Sequence, residues 1–182
     1  MISIEKTILS LFFVKLSIRL TLLKINLCTA LTVLEVLKSY DITDLKIKWP
    51  NDIMSGNRKI AGILIETTLV KNKINDLIIG IGLNVNQTDF DAIKEATSMK
   101  ILKNKSFDLH MISKHLVEKF SSFDDKISNV SKDKLIEKFC YHMFGMREKR
   151  KVTIEEKVVE GIILGITENY MLSVESDNQV KH

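Results

Sequence analysis

The sequence predicts an α+β fold: a mixed or antiparallel sheet backed by helices, with a small β unit at the C-terminal end. Three observations carry that prediction. Short apolar stretches of strand character follow one another between residues 45 and 85, joined by connections too short for a crossover helix, which favours antiparallel neighbours. Before and after that region apolar residues recur at three- and four-residue spacing, the period of a helix with one buried face. The last third, KVTIEEKVVEGIILGITENYMLSVES, returns to alternation interrupted by turn residues.

Taken in order, residues 7–14 read as a strand. A helix follows from about Leu22 to Tyr40, with Leu27, Ala30, Leu31, Leu34 and Leu37 forming one apolar stripe. Asp41 to Asp44 is a polar exit. Leu45–Trp49 alternates, with Leu45, Ile47 and Trp49 on one side and Lys46 and Lys48 on the other. Ser55-Gly56-Asn57 supplies turn chemistry. Lys59–Thr67 and Leu77–Val85 are the next two strands, separated by a polar turn at Lys71–Asn75, so a three-stranded meander is expected. Asp108 is placed to cap a helix carrying Leu109, Ile112, Leu116 and Phe120, and Ser131 one carrying Leu135, Phe139 and Met143. From Lys151 onward three short strands are expected, turning at Glu155-Glu156 and Glu168-Asn169.

Composition narrows the class. At 182 residues, 45% hydrophobic and 27% charged, the chain has material for one core and a soluble surface. The expected division is 1–147 and 148–182. One proline and seven glycines exclude collagen-like and Pro/Gly-rich disordered chains. The net charge of +4 comes from scattered lysines, with neither a basic stripe nor a nucleic-acid reading motif. No nucleic-acid partner is expected, while attraction to an anionic small molecule stays open. Cys28 and Cys140 lie in apolar helical patterns with no CxxC spacing. Buried thiols, no disulfide framework, no metal site and a reducing cytoplasm are expected. The N-terminal ILSLFFVKLSIRLTLLKINL is interrupted by Lys15, Arg19 and Lys24. It therefore lacks the run of roughly 20 apolar residues that spans a bilayer, and no small-residue cleavage site follows it.

The chemistry-bearing residues cluster in KIKWPNDIMSGNRKIAGILIE, residues 46–66. By strand parity Lys59 shares a side with Ala61, Ile63 and Ile65. If that side is the core, its ammonium needs an anionic partner; the alternative is a lysine at a strand edge that snorkels into water. Pro50 holds Trp49 extended, and the chain leaves the strand with Asn51 and Asp52 side by side. They either make an Asx-type turn or face a ligand. Gly80 and Gly82 lie two apart and leave one strand face bare, a mark of close approach by a ligand or another backbone. GIGLNVN is not GxGxxG and no helix follows, so a dinucleotide site is excluded.

KWPNDI, RKIAGILIE and IIGIGLNVN, in that order and at that spacing, together resemble the central part of the biotin–protein ligase catalytic domain. The resemblance is close over residues 45–90 and looser in layout over 7–182, including EATSM at 95–99. It implies a class II synthetase-like mixed sheet backed by helices, with an SH3-like C-terminal β unit. It also implies a reaction. The biotin carboxylate attacks the α-phosphate of ATP, supplied with Mg2+ as counter-ion, to give biotinyl-5'-AMP and pyrophosphate. A lysine of a biotin carboxyl carrier protein then takes the biotinyl group.

By resemblance, Lys59, Asp52 and Lys48 are the catalytic residues. Lys59, Gly62, Leu64, Gly80 and Gly82 line the biotin site, and Lys48, Asn51, Asp52 and Asn84 the ATP site. A homodimer through the sheet is compatible with the family. The family also carries an upstream Gly/Arg-rich loop of the GRGRxGR or GRGQxGN type, which has no counterpart here; the first glycine is Gly56. An N-terminally truncated member is therefore expected, with an exposed sheet edge and little or no ligase activity of its own. The competing expectations are an inactive or merely ligand-binding remnant, and a lipoate ligase or octanoyltransferase relative. The KWPND and GIGLNVN wording favours biotin. Nothing resembles a winged-helix repressor domain.

Overall fold

The computed structural model describes residues 7–14, 22–70, 73–90, 93–154, 156–177 and 179–181. Its larger sheet contains β1 (Thr7–Val14), β2 (Leu45–Lys48), β3 (Asp52–Ser55), β4 (Arg58–Val70) and β5 (Lys73–Asn84), in the order β1-β5-β4-β3-β2. Every neighbouring pair is antiparallel. The expected meander is present with one strand more than the pattern showed. Asp52–Ser55 pairs on both sides and buries Ile53 and Met54, so the chain reverses at Pro50-Asn51 and again at Gly56-Asn57. The polar turn expected at Lys71–Asn75 is too long: residues 73–75 open β5, which pairs with β4 from Lys73 onward, and 71–72 lie outside the described residues.

One face of the sheet buries Ile47, Ile53, Ala61, Ile63, Ile79, Ile81 and Leu83. Helix α1 (Leu22–Ser39) packs on β2, β3 and β4. The single stripe expected for α1 is an underestimate. Only Leu22, Lys24, Asn26, Glu35, Lys38 and Ser39 escape burial. A second helical layer explains this: α3 (Leu109–Ser121), α4 (Phe123–Ser128) and α5 (Lys132–Tyr141) pack against α1, leaving it between sheet and helices. Both anticipated caps form. Asp108 Oδ1 accepts from the amides of His110 and Met111, and Ser131 Oγ from that of Lys134. Met143 is buried but lies beyond the end of α5. The short helices α2 (Met99–Lys103) and α4 had no periodic signal of sufficient length.

The C-terminal sheet has four strands rather than three: β6 (Lys149–Ile154), β7 (Lys157–Ile166), β8 (Leu172–Ser176) and β9 (Gln179–Lys181), in sequential antiparallel order. The additional reversal is at Asp177, whose φ of 54° is left-handed. The segment after α5 closes the edge of β2: the Ile47 amide donates to His142 O at 2.7 Å, and the Phe144 amide to Ile47 O at 2.9 Å. Among the described residues no helix is long and apolar enough to cross a membrane.

Candidate active site

Strand register assembles the candidate residues. Lys48 lies opposite Asp52, Asp52 opposite Gly62, and Gly62 opposite Gly82. Directly opposed residues of antiparallel strands share a face, so these four form one row across β2, β3, β4 and β5. The row lies on the face away from the helices, because its sequence neighbours Ile47, Ile53, Ala61, Ile63, Ile81 and Leu83 are the buried ones. Leu64, opposite Gly80, stands on that same face and is 57% exposed.

Lys59 joins this row through an irregularity. Met54 pairs with Lys59 but Ile53 pairs with Ala61, so Ile60 is an extra residue on β4. Ile60 and Ala61 are consequently both buried. Such a bulge breaks the two-residue alternation. The parity that put Lys59 beside Ala61, Ile63 and Ile65 is thereby corrected: Lys59 faces away from the core. Its Nζ lies 2.6 Å from Asp52 Oδ1. A Cβ built on Gly62 would sit 3.2 Å from that same Nζ. The Lys59 side chain is 46% exposed and that of Asp52 25%, so this is a pair at the margin of solvent, free to exchange partners when an anion arrives.

The backbone of Lys59 is fixed from the side. Its amide donates to Glu95 O at 2.7 Å and its carbonyl accepts from the Thr97 amide at 2.8 Å, a parallel bridge to Ala96. Asn84 Nδ2 in turn donates to Thr97 O at 3.1 Å, so Asn84 ties EATSM to the end of β5. Asn51 makes a comparable tie. Its Nδ2 donates to Ile63 O at 2.8 Å while the Ile63 amide donates to Asn51 O at 2.9 Å. This is more than a local Asx turn, since it fastens the Pro50-Asn51 corner to β4.

The glycines leave room. Among the described residues a Cβ on Gly82 would meet only Gly62 O, at 3.9 Å. No side chain of those residues fills the space above it, and a flat ligand can lie on the backbone there. Bare backbone, one exposed leucine and an adjacent ammonium suit a molecule with an apolar body and an anionic end. Among the described residues no group of three or more His, Cys, Asp or Glu is placed to hold a metal ion. A cavity of about 680 Å³ opens beside the row, lined among others by Lys48, Trp49, Phe144, Lys149, Val152 and Leu172; it does not include Lys59 or Gly82.

Sequence reasoning passed over Tyr170, in the turn between β7 and β8. Its hydroxyl donates to Pro50 O, and Trp49 Nε1 donates to Tyr170 O at 3.2 Å. Burial pushes the Tyr170 phenol up from its ordinary value, keeping it protonated and a donor. No periodicity or spacing distinguishes a tyrosine in a polar turn, so only the three-dimensional contact reveals it.

Residues 5–84 match the biotin/lipoate A/B protein ligase family. The particular relatives are biotin ligases. The chain is 28% identical over 155 residues to biotin–protein ligase 1, chloroplastic, of Arabidopsis thaliana, covering 79% of this chain and 40% of that protein. It is 34% identical over 98 residues to the bifunctional ligase/repressor BirA of Bacillus spizizenii, covering 52% of this chain and 30% of that protein. The chain thus spans less than half the length of these two curated relatives. A structure of biotin protein ligase from Aquifex aeolicus in complex with biotin and ATP superimposes with a TM-score of 0.81 at 26% identity, over 97% of this chain and 74% of that one. The α+β class with antiparallel sheets and helices is that of these ligase structures.

Proposed function

We propose that this chain carries the biotin-activating site of a biotin–protein ligase. The observation that supports it most is the row Lys48–Asp52–Gly62–Gly82 with Lys59 delivered beside it by the Ile60 bulge. In this reading the fused rings and acyl chain of biotin lie over Gly62, Gly80 and Gly82 against Leu64, with the carboxylate toward Lys59. ATP enters as its Mg2+ salt near Lys48, Asn51, Asp52 and Asn84. A carboxylate is ionised at neutral pH, so the first step requires no base. One carboxylate oxygen bonds to the α-phosphorus, the bond from that phosphorus to the bridging oxygen breaks, and pyrophosphate leaves with the electron pair. Lys59 brings the two anions together and stabilises the charge shared between them. In the second step a carrier-protein lysine arrives as its ammonium beside Asp52 and loses a proton to solvent. The neutral amine bonds to the acyl carbon, the bond from that carbon to the phosphate oxygen breaks, AMP leaves with the electron pair, and the amide nitrogen sheds its extra proton to water. The partner is a biotin carboxyl carrier protein; a homodimer and a cytoplasmic location complete the reading.

Charge in the site favours a specific variant of this function. Among the described residues of the row, two ammonium groups, Lys48 and Lys59, face one carboxylate, Asp52, which already occupies Lys59. That leaves little among these residues to neutralise a triphosphate, so turnover resting on them alone is expected to be slow.

The test is a calorimetric titration with biotin plus a non-hydrolysable ATP analogue, beside Lys59→Ala. A saturable heat in the parent, weakened about tenfold in the variant as for loss of a charge-assisted contact, supports the reading. No heat from a chain shown folded by circular dichroism refutes it. Preference for lipoate or octanoate over biotin in the same titration moves the chain to the lipoate branch of the family.

A further inference from the structure

We infer that Tyr170 is a positioning residue that holds the Lys48–Asp52 corner in its site-facing geometry. Tyr170 exchanges hydrogen bonds with the corner in both directions: its hydroxyl donates to Pro50 O, and Trp49 Nε1 donates to Tyr170 O. The Tyr170 ring lies 6.1 Å from that of Trp49 and 6.3 Å from that of Phe139. On its other side the corner is fastened by Asn51 to Ile63. Residues 49–51 are therefore gripped from two elements, and Lys48 and Asp52, at the two ends of that grip, are members of the row.

The backbone marks Tyr170 as more than a turn residue. Its φ is 64°, a conformation glycine adopts freely and a bulky aromatic rarely does. The turn closes through backbone groups and Thr167: the Thr167 amide donates to Met171 O, the Tyr170 amide to Thr167 O, and the Met171 amide to Thr167 Oγ1. A glycine satisfies every one of those bonds at lower conformational cost. What the tyrosine adds is the contact with Trp49 and Pro50, and outliers retained in this way point to function. The grip couples the C-terminal sheet to the candidate site across 120 residues of sequence. Its importance for ligand binding rests on the function proposed above.

Trp49 is the single tryptophan of the chain, so its fluorescence reports the corner directly. The experiment compares the full chain with Tyr170→Phe, which removes only the hydroxyl, and Tyr170→Gly, which also relieves the left-handed backbone. The readouts are far-UV circular dichroism, Trp49 emission with acrylamide quenching, and the calorimetric affinity for biotin plus the ATP analogue. With unchanged circular dichroism, Tyr170→Gly is expected to red-shift Trp49 and increase its quenching, with Tyr170→Phe intermediate. Affinity should fall about tenfold in Tyr170→Gly, within the range by which a misplaced group acts at a distance. Unchanged fluorescence in both variants overturns the grip. A red shift with unaltered affinity overturns the positioning role and leaves a packing contact. If the parent takes up no biotin, the proposed function fails instead, and fluorescence alone decides whether Tyr170 holds the corner.

Discussion

At the scale of single residues, Gly82 and Lys59 are the positions where the proposed site is most exposed to test. The open space above Gly82 predicts an unusual separation of effects. Gly82→Val places a β-favouring side chain where, among the described residues, only Gly62 O is near. Its melting temperature should stay at or above that of the parent, while binding of biotin is abolished; differential scanning fluorimetry and calorimetry check the two halves. A large loss of stability would mean that the space is not open. Gly62→Ala differs, because its methyl would press Lys59 Nζ and Cε at 3.2 Å and disturb the pair with Asp52. The glycine spacing and the KWPND corner were legible in the sequence because they break strand and turn rules in plain sight. The facing of Lys59 was not. Parity counts residues, and nothing in the apolar run RKIAGILIE marks Ile60 as the one that a bulge removes from the count.

At the scale of elements, α1 shows how charge organises the helical layers. Glu35 accepts from Lys138 at 2.7 Å and from Lys126 at 2.9 Å, across to α5 and α4. Burial acts to raise its pKa, but the hydrogen bonds and charges of the two lysines prevail and hold it below the ordinary 4.5. A carboxylate depressed on folding adds stability above its unfolded pKa and loses it as pH falls through the folded one. Glu35→Gln should therefore destabilise the protein at pH 7 by about 0.5–1 kcal/mol, a modest figure because both pairs are partly exposed. The difference from the parent should vanish in urea melts taken at progressively lower pH below 4.5. An undiminished difference in acid would show that the effect is packing. On the same helix Cys28 is buried and its thiol is pushed up to about 11 by that burial, so alkylation at pH 8 should require unfolding. Periodicity identified α1, α3 and α5, and the residue types at Asp108 and Ser131 identified the caps of the last two. Periodicity missed that α1 is covered on a second side, since a helix buried all round and a helix with one wide stripe differ only in where other elements land.

For the whole molecule, the question is how the C-terminal sheet belongs to the rest. The division at 147/148 expected from the change of pattern is a proposal about folding units. Several contacts argue for one cooperative unit: the Arg147 amide donating to Ile163 O at 2.8 Å, the Tyr170 grip, and a 2.6 Å ion pair from Lys132 to Glu168. Thermal unfolding followed by far-UV circular dichroism and by Trp49 fluorescence should then give coincident transitions. Two resolved transitions would instead make 148–182 an independent unit. Leu34→Ala, in the helix at the centre of the layers and 1% exposed, should lower both together by about 2–5 kcal/mol. The antiparallel meander was readable because its connections are short. The attachment of β1 to β5 was not, because it joins segments some 70 residues apart, and such pairings leave no local trace.

Everything proposed for this chain depends on the glycine face beside Lys59 and Asp52 receiving biotin. The decisive experiment is a crystal structure of the chain grown with saturating biotin. Density is expected for the fused rings over Gly62 and Gly82, with the carboxylate at hydrogen-bond distance from Lys59 Nζ. Biotin seated elsewhere, for instance in the cavity between Trp49 and β6, or that face bare at saturation, would refute the assignment.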